Sequence, residues 1–193
     1  MEIINERLLY PSYEIIGGEK FMAPAANLDH SGIITRLSFM FSNYFVIHRN
    51  GYVYSDNVNV YLSEGNTFIP DLSIVLKNRE QILAGQKKIL GAPDMVVEVL
   101  SRSTMKRDIT IKKDTYEAQG VREYWIVNPW DKSVTVYLLR DGKYFLDEVY
   151  ALFDEIDLDL MTEEEKAAIK HEVPVSILEG LTIPIEFIFS WGY

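Results

Sequence analysis

Glu98 is the residue whose surroundings point most clearly to chemistry, because it is the only charged side chain within the apolar run MVVEVL. A buried carboxylate loses hydration and needs a compensating partner. Two aspartates that each follow a proline, Asp71 and Asp94, precede it. Asp94 is four residues upstream on the same predicted strand, ~13 Å away at ~3.3 Å per residue, which is too far to share one ion. Asp71 opens a different strand, and neighbouring strands lie ~4.8 Å apart, so Asp71 and Glu98 could converge. Two carboxylates with open positions for water suit Mg²⁺ or Mn²⁺.

Purely structural roles compete with this interpretation. Glu98 could pair with an arginine in the core, and Asp71 could cap a turn, which is a common use of Pro-Asp. Lys112 and Lys113 both flank a helical apolar stripe, and either could be solvated. Asp108, one turn before Lys112, could orient its ammonium group or form an ordinary i,i+4 salt bridge.

The segments around Glu98 predict a mixed α/β (α+β) architecture. The strand DMVVEVL is apolar on both faces, which is typical of a central strand covered on each side. A helical pattern follows it in RDITIKKDTYEAQG and ends at Gly120, a favourable C-cap. Next comes a second buried strand, EYWIV. We therefore expect a mixed central sheet flanked by helices, with additional β-hairpins such as the one around Gly17 and Gly18.

Length and composition narrow the class of protein. A chain of 193 residues suits a single domain over 1–193, with an acidic C-terminal extension at about 150–193. The absence of cysteine excludes disulfides and thiolate metal sites. The N-terminal segment is too polar for a signal peptide and no apolar run is long enough to span a membrane, so we expect a cytoplasmic protein without membrane association.

Charge is unevenly distributed along the chain. Residues 1–140 hold 16 acidic and 16 basic residues, whereas residues 141–193 hold 13 acidic residues and 3 lysines. The acidic part would repel DNA unless it faces away from it. The segment SRSTMKRDITIKK carries five basic residues and one acid, so this patch could meet an anion, although charge runs of this length are often solvated faces.

Three segments carry a resemblance to a known family: PDLSIV, PDMVVEVLS and KRDITIKKDTYEAQGVREYWIVNP. Together they resemble the PD-(D/E)xK nuclease superfamily and, within it, the Uma family of predicted restriction endonucleases. The likeness runs from about YEIIGGEKFMAP to LTIPIEFIF. It implies a restriction-endonuclease-like fold in which Mg²⁺, or Mn²⁺, is held by Asp71, Glu98 and the backbone carbonyl of Val99.

The catalytic lysine departs from the superfamily pattern. The superfamily places it two residues after the glutamate, where this chain has Leu100. The family resembled carries a lysine in the following helix, four residues before a tyrosine, and this maps to Lys112 ahead of Tyr116. We therefore take the catalytic residues as Asp71, Glu98 and Lys112, and interpret Tyr116 as a core residue.

The resemblance implies hydrolysis of DNA phosphodiester bonds by a metal-activated water. Cleavage of both strands usually calls for two active sites, so we expect a homodimer. Supporting positions around the site could be filled by His30, Asp108, Asp56 and Glu19. Two alternatives remain open, namely a nuclease-fold binding or regulatory module with little or no catalysis, and a phosphoester hydrolase outside nucleic-acid chemistry.

Overall fold

The computed structural model describes residues 13–22, 27–55, 58–85 and 88–190. Its strands are β1 (Tyr13–Ile16), β2 (Glu19–Met22), β3 (Gly51–Ser55), β4 (Asn59–Ser63), β5 (Asn66–Phe68), β6 (Leu72–Leu76), β7 (Leu83–Ala84), β8 (Lys88–Leu90), β9 (Met95–Val99), β10 (Glu123–Asn128), β11 (Ser133–Arg140), β12 (Lys143–Ala151), β13 (Glu172–Pro174) and β14 (Thr182–Pro184). Its helices are α1 (Leu28–His48), α2 (Met105–Arg107), α3 (Lys113–Gln119), α4 (Glu155–Leu160), α5 (Glu163–Ala167) and α6 (Ile185–Phe189), with a 3₁₀ helix at Lys77–Ile82 and a π-helical turn at Asp108–Lys112.

The main sheet has six strands in the order β12-β11-β10-β9-β6-β3. Its central pair, β9 and β10, is parallel, and the other neighbours are antiparallel. A parallel pair needs a crossover connection, which α2, the π-helical turn and α3 provide. A second sheet has the order β2-β1-β5-β4-β8-β7, and β13 pairs with β14. The predicted mixed sheet with flanking helices and additional hairpins is therefore confirmed.

One face of the main sheet packs against α1 and the C-terminal elements. Side chains of β9 that point to this face include Val97 and Val99, and they share a core cluster with Leu37 of α1 and Ile188 of α6. The acidic C-terminal part thus contributes apolar residues to the core. No helix within the described ranges combines the length and apolar character needed to cross a membrane.

The opposite face of the main sheet packs against the second sheet and the crossover helix. Val96 and Leu100 of the β9 segment join Phe68 and Tyr116 in a separate core cluster. Because side chains alternate along a strand, Glu98 points to this same face. The fold therefore directs Glu98 between the second sheet and the crossover helix.

The crossover helix contains an irregularity that the sequence pattern did not predict. Residues Asp108–Lys112 form a π-helical turn between α2 and α3, whereas we expected a regular helix. The predicted end of the helix is present: Gly120 takes the left-handed conformation at φ 85° and its N–H bonds back to Glu117. Turns of this kind are frequent at functional sites.

Glu123 ties the C-terminal part to the main sheet. It is fully buried at the start of β10, and it accepts hydrogen bonds from Trp125 Nε1 at 2.8 Å and from the backbone N–H of Ile177 at 3.1 Å. Burial raises the pKa of the Glu123 carboxyl to about 7, although these donors act in the opposite direction. The loop that carries Ile177 is thus held by a titratable group.

Candidate active site

Asp71 and Glu98 are brought together by the pairing of β6 with β9. The two strands are antiparallel and place Leu72 opposite Val97, so the next pair along the ladder sets Asp71 opposite Glu98. Side chains of directly opposed residues lie on the same face of a sheet. The backbone N–H of Val99 donates to Asp71 Oδ2 at 2.7 Å, which fixes that carboxylate at the end of the ladder.

Glu98 is buried, at 3 % exposure, and two side chains of the crossover helix contact it. Lys112 Nζ lies 2.9 Å from Glu98 Oε1, and the Tyr116 hydroxyl donates to the same oxygen at 2.7 Å. Lys113 points elsewhere, since its Nζ lies 5.1 Å from the centre of the Tyr137 ring. Of the two candidate lysines, the structure therefore places Lys112 beside Glu98.

Two further carboxylates surround Lys112. Glu14 Oε1 lies 2.9 Å from Lys112 Nζ and also accepts the backbone N–H of Ile69 at 2.9 Å. Asp108 Oδ1 lies 3.4 Å from Lys112 Nζ, one turn away on the same helix. The residues Glu14, Asp71, Glu98, Asp108 and Lys112 are called the carboxylate cluster below.

Burial and mutual charge set the protonation of this cluster. Burial raises the pKa of Glu98 well above its usual value, Lys112 opposes this, and the neighbouring acids add to the rise. Burial lowers the pKa of Lys112, but attraction by Glu98, Glu14 and Asp108 outweighs it and raises that pKa well above the usual value. The surrounding acids therefore favour the charged form of Lys112.

His30 lies at the more open side of the cluster. Its Nε2 is 3.2 Å from Asp71 Oδ2, and the two side chains are 13 % and 18 % exposed. His30, predicted as a supporting residue, is positioned by α1, which begins at Leu28 with Asn27 as its N-cap. Solvent or a ligand reaches the cluster more easily here than at Glu98.

The other predicted positions lie apart from this arrangement or cannot be placed. Glu19 is exposed in β2 opposite Ile16, and the structure shows Glu14 as the acid that the same hairpin contributes. Asp56 lies outside the described residues. Asp94 is at the opposite end of β9, where it accepts the backbone N–H of Leu76 at 2.9 Å and contacts Arg79.

Sequence reasoning missed Glu14 and gave Tyr116 only a core role. Tyr116 is indeed fully buried, but its hydroxyl also anchors Glu98. Like Glu98, Glu14 is an acidic residue at a strand position where an apolar residue is expected. In the strand YEII it lies on the buried face together with Ile16. A search for acids on the inward face of every predicted strand would have found it.

The donor set fits a divalent cation. Four carboxyl groups and one lysine form the carboxylate cluster, so it holds more acidic oxygens than the lysine alone can pair. Lys112 and Tyr116 both contact Oε1 of Glu98, and His30 and the Val99 N–H both contact Oδ2 of Asp71. None of these four contacts uses the second oxygen of either carboxylate. Within the described ranges no three His, Cys, Asp or Glu side chains form a ready chelate, but Mg²⁺ commonly uses one or two carboxylates and completes its shell with water and phosphate.

Comparisons with known proteins identify the family and the fold. Residues 6–169 match the model of the Uma2 family, which is described as "putative restriction endonuclease". A similar solved structure is that of a protein from Anabaena variabilis ATCC 29413, described as a putative nuclease belonging to DUF820. It is 21 % identical, with a TM-score of 0.71 over 94 % of this chain and 91 % of that chain, so it supports a restriction-endonuclease-like fold. No curated protein matches the chain. Because the family model covers most of the sequence, this chain belongs to the Uma2 family.

Proposed function

We propose that this protein is a Mg²⁺-dependent DNA endonuclease of the PD-(D/E)xK type that hydrolyses phosphodiester bonds. The observation that carries the proposal is the buried contact of 2.9 Å between Lys112 Nζ and Glu98 Oε1, on the sheet face where Asp71 stands opposite Glu98. A pair of carboxylates can hold a catalytic metal ion, and a cation beside them can offset the charge that develops on the phosphate. Membership of the Uma2 family supports a nuclease as the general class.

Asp71 and Glu98 would hold the metal ion, together with the backbone carbonyl of Val99. The N–H and C=O of one strand residue point to the same side of the strand, and the Val99 N–H points to Asp71. The carbonyl therefore faces the same side. When bound, Mg²⁺, or Mn²⁺, would acidify a water and polarise the phosphate.

Lys112 would orient the attacking water and offset the charge that develops on the phosphate. It acts as a cation and not as a base, because the surrounding acids hold its pKa well above the usual value. Glu14 and Asp108 keep its ammonium group in place, at 2.9 Å and 3.4 Å. Tyr116 contacts the Glu98 carboxylate and His30 contacts the Asp71 carboxylate, and both would hold these groups in position for the metal.

The assembly follows from the reaction. A cut through both strands of a duplex needs two active sites, so we propose a homodimer of chains, each with one domain over residues 1–193. In that assembly the acidic extension at about 150–193 faces away from the DNA.

A cleavage assay on supercoiled and single-stranded DNA with Mg²⁺ or Mn²⁺ tests the proposal. We expect wild-type protein to cleave and Glu98→Gln and Lys112→Met to lose at least a hundredfold in rate. Glu123→Gln is the matched control, because Glu123 is also a buried glutamate and lies on the strand beside Glu98. Cleavage by folded Glu98→Gln at the wild-type rate contradicts the assignment.

A binding module without catalysis is the second candidate, and one observation favours it. Lys112 and Tyr116 already satisfy Glu98 Oε1 from within the protein, so the buried carboxylate has partners without a metal. A thermal unfolding titration with Mn²⁺ separates the two candidates. A metal at about 100 times its Kd stabilises the folded state by ~2.7 kcal/mol, which raises Tm by roughly 5–10 °C for a chain of this size. No shift, or an equal shift in the Asp71→Asn protein, favours the binding module.

A further inference from the structure

Arg107 borders the carboxylate cluster without belonging to it. It directly precedes Asp108, and its guanidinium carbon lies 4.9 Å from the centre of the Phe21 ring. Phe21 is the cross-strand partner of Glu14, and Glu14 contacts Lys112. Arg107 is therefore next to two members of the carboxylate cluster: it precedes Asp108 in sequence, and it contacts Phe21, the cross-strand partner of Glu14.

No carboxylate of the described chain forms an ion pair with Arg107, although Asp108 follows it directly in sequence. Its Nε is buried without a hydrogen-bond acceptor among the described residues. By contrast, Arg79 and Arg122 both contact Asp94, and Arg140 contacts Asp147. The side chain as a whole is only half-buried, so a positive charge that has no ion pair among the described residues is suited to an anion that comes from outside the chain.

The contact with Phe21 holds the guanidinium while leaving its charge uncompensated. The N–H donors of a guanidinium lie in the plane of the group, so contact with an aromatic ring through its flat face leaves these donors able to form hydrogen bonds. Two of them can bind two oxygens of one phosphate. Arg107 also lies in the basic segment 101–113, next to the exposed Lys106. The local charge therefore favours an anion on the helix side of the cluster.

We propose that Arg107 binds a backbone phosphate of the nucleic-acid strand that occupies the site, next to the phosphate that is cleaved. This inference rests on the proposed function for the identity of the ligand. It assigns Arg107 to substrate binding and not to bond cleavage, because Lys112 already supplies the cation beside Glu98. The contact is to the phosphate backbone, so it does not depend on base sequence.

Binding of a fluorescein-labelled oligonucleotide in EDTA, followed by anisotropy at several salt concentrations, tests this inference without metal or cleavage. We expect Arg107→Gln to weaken binding about tenfold and to lower the magnitude of the slope of log K against log salt by about one. Arg107→Lys keeps the charge and should retain the slope while losing part of the affinity. Arg140→Gln is the matched control, since that arginine pairs with Asp147 in the β11–β12 hairpin and should bind as wild type.

The two proposals fail in different ways. Arg107→Gln protein that is folded by circular dichroism yet binds with the affinity and salt slope of Arg140→Gln overturns the inference, even if the wild type cleaves DNA. A wild type that binds DNA through Arg107 but does not cleave with Mg²⁺ or Mn²⁺ overturns the endonuclease proposal and upholds the phosphate contact. If both proposals hold, Arg107→Gln should raise KM about tenfold with little change in kcat.

Discussion

Replacement of Lys112 by methionine removes the cation of the carboxylate cluster while keeping the length of the side chain. Lys112 Nζ lies 2.9 Å from Glu98, 2.9 Å from Glu14 and 3.4 Å from Asp108. At an effective dielectric constant of ~20, one such contact is worth roughly 5–6 kcal/mol before the cost of desolvating the charges. Measured losses on removing one partner of a buried pair are about 3–5 kcal/mol, and we expect Lys112→Met to fall in that range.

Urea unfolding followed by circular dichroism measures the change. The free energy of unfolding should fall by about 3–5 kcal/mol, equivalent to a Tm lower by roughly 10 °C. Lys113→Met is the matched control, because the neighbouring lysine lies over the Tyr137 ring and interacts with Glu117 but not with Glu98, and its replacement should cost about 0.5–1 kcal/mol. A double variant with Glu98→Gln should be less destabilised than the sum of the single changes, by about 1–3 kcal/mol.

Equal stability of Lys112→Met and Lys113→Met would refute the reasoning. The structure would then assign the wrong lysine, or the acids of the cluster would be compensated without it. Additivity of Lys112→Met and Glu98→Gln would refute the contact between these two side chains in particular.

Three further predictions concern residues outside the carboxylate cluster. Burial raises the pKa of Glu123 to about 7, so between pH 4.5 and 7 the folded state binds more protons than the unfolded state. The free energy of unfolding should therefore fall by up to about 3 kcal/mol as the pH rises through that window. Urea unfolding curves of Glu123→Gln, measured across the same pH range, should lack this loss. Asp94→Asn should destabilise the protein by about 2–4 kcal/mol, measured by urea unfolding, while the Mn²⁺ thermal shift stays as in wild type. Gly51→Ala would place a methyl group 2.5 Å from the Phe45 ring and should lower stability by about 1–3 kcal/mol, and an unchanged Tm would contradict that packing.

Much of the fold could be predicted because its signals are local. The turn at Gly17 and Gly18 has the positive φ values that a two-residue hairpin needs, and the structure has a hairpin there. Gly120 ends the crossover helix, as its place after the helical pattern predicts. Each feature depends on residues close together in sequence, so one sequence contains the information.

The parts that the sequence did not predict depend on contacts between distant elements. The inward position of Glu14 in its strand marks it as a candidate, but no local pattern shows that the second sheet packs over β9 and so brings Glu14 to the carboxylate cluster. The π-helical turn is also absent from the pattern, since RDITIKK fits a regular helix. Tyr116 satisfies the apolar stripe of its helix, and its hydroxyl partner is known only from the fold.

The position of the lysine follows from how the two faces of β9 are used. Glu98 and the residue two places later share a face, so a lysine at position 100 would lie beside Glu98 on the strand. Leu100 fills that place instead and packs in the same core cluster as Val96 and Tyr116. The crossover helix packs against this face of the sheet, and its Lys112 contacts Glu98 from the helix side. The π-helical turn spans Asp108–Lys112 and ends at this lysine, with both side chains buried toward the cluster. A change of one position in the helix would turn the ammonium group away from Glu98, so the contact between Lys112 and Glu98 depends on the register of this helix.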